Sequence, residues 1–378
     1  MNRGRIAFID LLRGWALLVM IETHVVNSMM IKELREETWF LGLNFVNGLV
    51  APSFLFVTGF VFVFAGRRKL EDYRLFGSAL WKQLARLLLV WVIGYALHLP
   101  FFSFKKIVAE ATSQHWSKFF QIDILQCIAV GWILLLIILM AAKTSNAARK
   151  IFLAVGLVFV FSTPFVWASE FLQNLPPFLS AYFGPQSHSL FPLFPWVGFM
   201  LFGAASADYF TASSESDAHV LLVKKVAWLG PGLIALCAAL AFLLPDRMMT
   251  DDWRINPLFF FIRLGCVLVL GWFCYRWTER RAATQSIVLD VSRASLLVYT
   301  AHLLIIYGNY FDGKSIAEIV QHRFGIVESM LAALSLAALM VAFAKGWTWM
   351  KQYSRTGSLY VSYAVAVMTI VLFFVREN

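Results

Sequence analysis

The chain opens with the segment that decides its fold, residues 6–30, which read IAFIDLLRGWALLVMIETHVVNSMM. About 20 mostly apolar residues are enough to cross a bilayer as a helix, and this run is longer. It nevertheless carries Asp10, Arg13, Glu22 and His24. Ionisable side chains at membrane depth are costly and usually face the interior of a helical bundle or an aqueous cavity. The run therefore predicts a membrane helix with a polar, functional face.

Ten further apolar runs of this kind follow in the 378-residue chain. They lie near 41–65, 80–101, 121–142, 151–170, 191–210, 226–245, 257–276, 286–310, 326–344 and 358–375. Charged residues make up only 14% of the chain, against about 25% in soluble domains. The composition predicts an all-α integral-membrane protein, a polytopic bundle of about 11 transmembrane helices. No linker and no repeat divides the sequence, so we predict a single domain over residues 1–378.

The distribution of basic residues predicts the orientation of this bundle. The net charge is +10, with 32 lysines and arginines. With the N-terminus inside, eighteen of these residues fall in inner segments, ten in outer segments and four within the apolar runs. Because basic residues concentrate on the cytoplasmic side, we predict an inside N-terminus and an outside C-terminus, in the inner membrane of a bacterium. The charge then requires no nucleic-acid partner.

This topology gives each polar residue in the apolar runs a depth. The first and ninth runs lead outward, whereas the second, fourth and sixth lead inward. The residues that share the outer depth are His24, Asn47, His98, Asp123, Gln126, Trp196 and His302. A common site requires such a shared depth. The longest outer connection, residues 171–190, is rich in proline and aromatic residues and predicts an ordered cap on this side.

Helical phase places a cation and an imidazole on one face of the first run. His24 follows Arg13 by eleven residues, which is three turns and about 16 Å along a helix axis. Asp10 precedes Arg13 by three positions, close enough to neutralise or orient it. The arrangement suits a long anionic cofactor such as acyl-coenzyme A (acyl-CoA), with phosphates near Arg13 and the reactive end near His24. The alternative is an Asp10–Arg13 ion pair that locks helix packing, beside a hydrogen-bonded packing histidine.

No metal site is predicted. The four cysteines lie singly in apolar runs without a C-x-x-C spacing, so the sequence indicates neither a zinc site nor a disulfide framework. Motifs typical of nucleotide-binding loops, zinc proteases and serine hydrolases are also absent from the sequence.

Five segments, taken in order, resemble a known family. They are Ile9–Gly14 with His24, Pro52–Gly59, Asp123–Ala129, Phe194–Phe199 and Ser295–His302. Together they resemble the heparan-alpha-glucosaminide N-acetyltransferase-like catalytic domain family of transmembrane acyltransferases, over most of the chain. The resemblance implies a helical bundle that takes an acetyl group from cytoplasmic acetyl-CoA and delivers it to a sugar on the far side.

The chain also departs from the lysosomal branch that it resembles. That branch has an Asn at the position of His24 and its key His just before the second helix, where this chain has Glu36, Glu37 and Thr38. The role implied for His24 is therefore closer to that in the related bacterial O-acyltransferases.

The leading hypothesis is an integral-membrane acyltransferase that moves an acetyl or other short acyl group from cytoplasmic acyl-CoA to an extracytoplasmic sugar or glycan. His24 is the predicted general base or transient acyl carrier, because imidazole titrates near neutrality. Asp123 and His302 are predicted to orient or assist it. The predicted donor-binding residues are Asp10, Arg13, Arg86 and Arg293. The predicted acceptor-binding residues are Asn47, Gln126 and Trp196.

Two alternatives use the same polar residues differently. In a proton-coupled transporter or exporter, the intramembrane histidine, aspartate and arginine side chains would form a proton relay. In a third interpretation, the chain is a non-catalytic membrane partner in envelope assembly. The expected partners of the leading hypothesis are acyl-CoA, the glycan acceptor and the lipid bilayer, and the sequence is compatible with a homodimer.

Overall fold

A computed structural model describes residues 6–185, 188–212, 225–243, 254–280, 286–309 and 314–376. Within these ranges the ordered elements are helices, and the only strand-like pairing is an isolated parallel bridge between Met30 and Phe324. The α-helices of the first half are α1 (Ala7–Met29), α2 (Thr38–Asn47), α3 (Val50–Gly66), α4 (Leu70–Arg74), α5 (Ser78–Ala96), α6 (Phe104–Glu110), α7 (Ser113–Phe119), α8 (Ile124–Ala141) and α9 (Ser145–Trp167). Those of the second half are α10 (Glu170–Gln173), α11 (Pro177–Ser180), α12 (Leu193–Ala212), α13 (Ala227–Leu243), α14 (Pro257–Arg280), α15 (Ile287–Arg293), α16 (Ser295–Tyr307), α17 (Ile316–Val320), α18 (Ile326–Tyr353) and α19 (Arg355–Val375).

Seven helical spans in the described ranges are long and apolar enough to cross a membrane. One runs over Thr38–Arg74, and the other six are α5, α8, α9, α14, α18 and α19. Each of the eleven predicted runs coincides with a helix, but α1 and α12 are not among the seven, and α13 is a shorter apolar helix of 17 residues. The all-α membrane class is confirmed. The count of about 11 spans and the orientation remain predictions.

The ninth predicted run, residues 286–310, is not one straight helix. It forms α15 and α16, which meet at an angle of 88°. Ala294 ends α15 with φ −107° and ψ 27°. The bend separates a polar half from an apolar one, because α15 carries the ion pair between Asp290 and Arg293 whereas α16 is largely apolar. The prediction of one continuous span is corrected to a broken one.

The chain divides into two compact units. The first unit comprises Met1–Leu12, Ala51–His98 and Ser117–Arg281. The second unit comprises Arg13–Val50, Leu99–Trp116 and Ala282–Asn378. The single-domain organisation therefore remains a prediction.

Close contacts between backbones hold the first unit together. In this unit α9 packs along α12, and α13 along α14. A methyl group on Gly59 of α3 would overlap the carbonyl oxygen of Met200 in α12, and one on Gly203 would overlap that of Phe56. Small residues allow helix backbones to approach in this way where lipid supplies no hydrophobic driving force. The reciprocal glycines thus fix how α3 and α12 cross.

The predicted cap is ordered over its described residues and lies against the start of α8. The backbone N–H groups of Leu190 and Phe191 donate to the carbonyl of Ile122 at 3.0 and 3.1 Å. The N–H of Ile122 in turn donates to the buried Ser189 hydroxyl at 3.1 Å. These bonds hold residues 188–191 beside Asp123, the first residue of the sequence motif Asp123–Ala129.

The second unit is built on α18. Both halves of the broken pair, α15 and α16, pack on α18, and α19 packs on α18 and α6. Gly14 brings α1 against α15, because a methyl group at this position would overlap the carbonyl oxygen of Val288. Near the other end of α1, Val26, Met30 and Phe40 form a buried apolar cluster.

Candidate active site

Two histidines that are distant in sequence meet in the second unit. His24 lies on α1 and His302 on α16, and their ring centroids are 5.3 Å apart with an interplanar angle of 48°. His302 is completely buried. Its Nδ1 donates to the carbonyl oxygen of Val298 at 2.7 Å, because a carbonyl can only accept. Its Nε2 is buried and makes no hydrogen bond to any described residue.

His24 is the more accessible member of this pair. Its side chain is half-buried, and its Nδ1 lies 3.4 Å from the hydroxyl of Tyr307. The Tyr307 ring meets the imidazole edge-on at a centroid distance of 5.8 Å, and the Tyr299 ring similarly contacts His302 at 5.7 Å. A partly accessible imidazole backed by a fully buried one is suited to acid–base chemistry on a bound substrate.

The second unit also gathers the cations expected to bind the donor. The Nε of Arg13 donates to the hydroxyl of Ser292 on α15 at 2.8 Å. The next residue, Arg293, forms an ion pair with Asp290 at 3.2 Å. Since α1 is unbroken from Ala7 to Met29, Arg13 and His24 lie on one helix face about 16 Å apart.

A polar cavity of about 590 Å³ opens beside Arg293, between α15 and α18. Arg13 is not part of its lining, because its partner Ser292 lies on the other face of α15. The lining of the cavity includes Asp290, Arg293, Lys345, Thr348, Trp349 and Gln352. Two cations, several hydrogen-bonding groups and an indole are the side chains that a nucleotide with phosphates would require.

Asn47 shares the second unit with the histidine pair. It is the last residue of α2 and is buried. Its side chain interacts with the carboxyl group of Glu22 on α1. Glu22 and His24 are two positions apart and point to different faces of α1. The contact therefore brings Asn47 to α1 but not to the imidazole of His24.

Asp123 and Gln126 lie in the first unit, where they cap α8. The backbone N–H of Ile124 donates to Asp123 Oδ1 at 2.7 Å, and that of Asp123 donates to Gln126 Oε1 at 3.2 Å. This reciprocal capping box satisfies two N–H groups at the start of the helix. Asp123 Oδ2 lies 3.8 Å from Nε2 of His98, so the unit has an imidazole–carboxylate pair of its own.

Near the Asp123–His98 pair, Tyr182 of the cap contacts two aromatic side chains of α5. The hydroxyl of Tyr182 accepts from Trp91 Nε1 at 3.0 Å and lies 3.0 Å from the hydroxyl of Tyr95. Burial raises the pKa of Tyr182, although its hydrogen bonds to Tyr95 and Trp91 lower it. The phenol therefore stays protonated at neutral pH and holds residue 182 of the cap against α5.

The remaining predicted residues lie apart within the first unit. Trp196 is buried, with its ring 4.8 Å from that of Phe191. Arg86 is exposed on α5, and Asp10 is buried near the start of α1. The structure thus gathers His24 with His302 and Arg13 with Ser292 and Arg293, and it places five of the ten predicted residues in each unit.

A family model described as heparan-alpha-glucosaminide N-acetyltransferase, catalytic, matches residues 5–236. The chain belongs to this family. None of the curated proteins compared with it matches the chain. The match includes His24 and Asp123 but ends before His302, so the last of the five motifs rests on the resemblance alone. Family membership and the apolar helices together make the chain a membrane protein of the acetyltransferase class.

Several residues of this acetyltransferase-like site are not found by sequence reasoning. Tyr307 contacts His24 although the two residues are 283 positions apart in the sequence. Lys345 lines the polar cavity, whereas in the sequence it serves only as a basic residue that indicates membrane orientation. Ser292 carried one available signal, because it directly precedes Arg293 in a polar stretch of an apolar run. His98 carried another, since it shares the outer depth of Asp123 in the predicted topology.

The described residues hold no group of three or more histidine, cysteine, aspartate or glutamate side chains placed to bind a metal ion.

Proposed function

We propose that the protein transfers an acetyl or other short acyl group from acyl-CoA to a hydroxyl or amine of a sugar or glycan, with His24 as the general base. The observation that carries this proposal is the packing of half-buried His24 against buried His302. His24 lies within the part of the chain that matches the acetyltransferase family.

The donor is proposed to bind with its nucleotide in the polar cavity between α15 and α18. Arg293 and Lys345 line this cavity, and Arg13 is tied to α15 through Ser292. Charge-assisted hydrogen bonds from such cations are the strong contacts that phosphates make. The pantetheine arm would then follow α1 toward His24, which brings the thioester to the imidazole. The predicted contributions of Asp10 and Arg86 to donor binding are part of the same proposal.

In the reaction, His24 takes the proton from the acceptor while the acceptor oxygen or nitrogen attacks the thioester carbonyl. The carbon–sulfur bond then breaks, and the CoA thiolate receives a proton. Nδ1 of His24 faces Tyr307, so we assign Nε2 to the acceptor. His302, fixed by its bond to Val298, is proposed to hold the His24 ring in place. Asp123, Asn47, Gln126 and Trp196 are proposed as acceptor-side residues.

The test uses the full chain in detergent, radiolabelled acetyl-CoA, and a panel of amino sugars and neutral sugars. Wild-type protein should bind acetyl-CoA and acetylate at least one acceptor. His24→Ala should lower the transfer rate by about 10²–10⁴-fold, the usual contribution of general acid–base catalysis, and should leave donor binding intact. His115→Ala is the matched control, because His115 is half-buried like His24 but contacts Thr112 and Phe101 and no residue of the proposed site.

Two results would contradict the proposal. One is near-normal transfer by a folded His24→Ala protein. The other is an absence of donor binding and transfer together with proton-coupled substrate flux in proteoliposomes, which would favour the transporter.

A further inference from the structure

The first unit contains a second cavity, of about 410 Å³, whose walls are almost entirely apolar. Its volume falls within the range of about 300–1,000 Å³ that is usual for small-molecule sites. Its walls come from the start of α1 and from α3, α9, α12, α13 and α14, and include Phe8, Phe56, Leu153, Phe202, Leu233 and Leu264. Leu153 and Leu229 line the cavity and are also 38% and 57% exposed. The cavity therefore reaches the apolar surface that faces lipid.

The polar groups of this cavity are concentrated near one end of the helices. Arg149 lies in the second turn of α9 and lines the cavity, with its guanidinium 5.1 Å from the centre of the Tyr209 ring. Ser206 and Tyr209 of α12 are the other polar lining residues. Apolar walls with a cation at one end match an amphipathic ligand rather than water or a sugar.

A second basic pocket adjoins this end. Phe210 lines both the cavity and a pocket formed with Phe64, Arg67 and Arg68. Arg67 forms an ion pair with the buried Asp208, whose charge it offsets. Arg68 and Arg149 therefore leave the region with an excess of positive charge. That charge is complementary to a phosphate group at the mouth of the cavity.

We propose that this cavity binds an anionic phospholipid, with an acyl chain between the helices and the headgroup phosphate near Arg149 and Arg68. An acyl chain fills an apolar space in the hydrocarbon region at no hydration cost, and anionic headgroups are attracted to basic residues at the membrane edge. This lipid site is distinct from the proposed catalytic pair, because neither His24 nor His302 lines the cavity.

The experiment uses the full chain reconstituted in vesicles with phosphatidylglycerol or phosphatidylcholine that carries a photoreactive group near the end of an acyl chain. Cross-linked peptides are then mapped by mass spectrometry. Phosphatidylglycerol should label α9, α12 and α14 about fivefold more than phosphatidylcholine does, which is the effect of one cation near an anionic headgroup.

Two matched pairs of variants distinguish the contribution of the lipid acyl chain to binding from that of the lipid headgroup. Gly271 lines the cavity, and a methyl group there would meet only Leu12 at 3.9 Å. Gly271→Leu should therefore fill the space and lower labelling at least about fivefold, because the leucine side chain takes the volume of the acyl chain and the bilayer offers the displaced chain an equally apolar environment. Gly232→Leu, on α13 where nothing lies within 4 Å, should not. Arg149→Gln should remove the preference for phosphatidylglycerol, whereas the exposed neighbour Lys150→Gln should retain it.

Unchanged labelling of Gly271→Leu would overturn the proposal, as would equal labelling by the two lipids in the wild-type protein. Displacement of the lipid by long-chain acyl-CoA at this cavity would also overturn it, because the cavity would then belong to the acyl donor.

Discussion

Arg13 illustrates how one side chain can serve packing and binding together. Its Nε donates to Ser292, which is a structural contact, and its positive charge is proposed to attract the phosphates of the donor. Arg13→Gln removes the charge, whereas Ser292→Ala removes only the partner of Nε. We expect Arg13→Gln to weaken acetyl-CoA binding about tenfold or more, the effect of losing one charge-assisted hydrogen bond. Ser292→Ala should weaken binding less. Isothermal titration of both variants measures the difference, and equal affinities with lowered melting temperatures would make Arg13 a packing residue.

Lys345 offers a test of the cavity that is independent of Arg13. It lines the polar cavity with Arg293, whereas Lys351 lies near the end of the same helix, is exposed and is not part of the lining. Lys345→Gln should weaken acetyl-CoA binding by about tenfold, and Lys351→Gln should leave the dissociation constant unchanged. Desulfo-CoA should show the same difference, since the nucleotide and not the thioester is bound there. An equal effect of both variants would indicate a diffuse electrostatic contribution instead.

At the scale of helices, Gly14 explains why glycine follows arginine in the first motif. A methyl group at Gly14 would overlap the carbonyl oxygen of Val288, so α1 and α15 can approach only without a side chain there. Gly14→Ala should therefore destabilise the protein by about 1–3 kcal/mol, the usual cost of overpacking. Gly42→Ala, with nothing within 4 Å, should be neutral or gain up to about 1 kcal/mol from helix propensity. Thermal melts in detergent compare the two, and a Gly14→Ala protein that melts like the wild type would contradict this packing.

The elements also show which features a sequence can predict. Every apolar run is largely helical in its described residues, although 41–65 covers α2 and α3 and 286–310 covers α15 and α16. The helices were predictable because the length and apolarity of about 20 residues are local properties. The ordered cap over residues 171–190 was predictable from its local proline and aromatic content. The start of α8 at Asp123 is also determined locally, by the capping contacts of Asp123 and Gln126. The break at Ala294 was not predictable, since neither proline nor glycine marks it. It follows from where α15 and α16 pack on α18. The pairing of Asp123 with His98 is likewise a tertiary feature, because it follows from the packing of α5 against α8.

For the whole molecule, the shared depth of the site residues depends on a topology that remains a prediction. The helix α1 is not among the seven spans that meet the length and apolarity criteria. Whether α1 crosses the membrane is therefore the question that decides the predicted topology. Four exposed lysines report on it: Lys32, Lys143, Lys314 and Lys351.

Cysteine labelling tests this topology directly. Three native cysteines are buried and the fourth, Cys266, is half-buried, so background labelling by a membrane-impermeant maleimide should be low. In sealed right-side-out vesicles, Lys32→Cys and Lys314→Cys should react at once, because the positive-inside rule places both outside. Lys143→Cys and Lys351→Cys should react only after permeabilisation. Protection of Lys32→Cys together with Arg5→Cys would mean that α1 does not cross. His24 would then lie on the same side of the membrane as Arg13, and transfer at His24 could not deliver the acyl group to the other side of the bilayer.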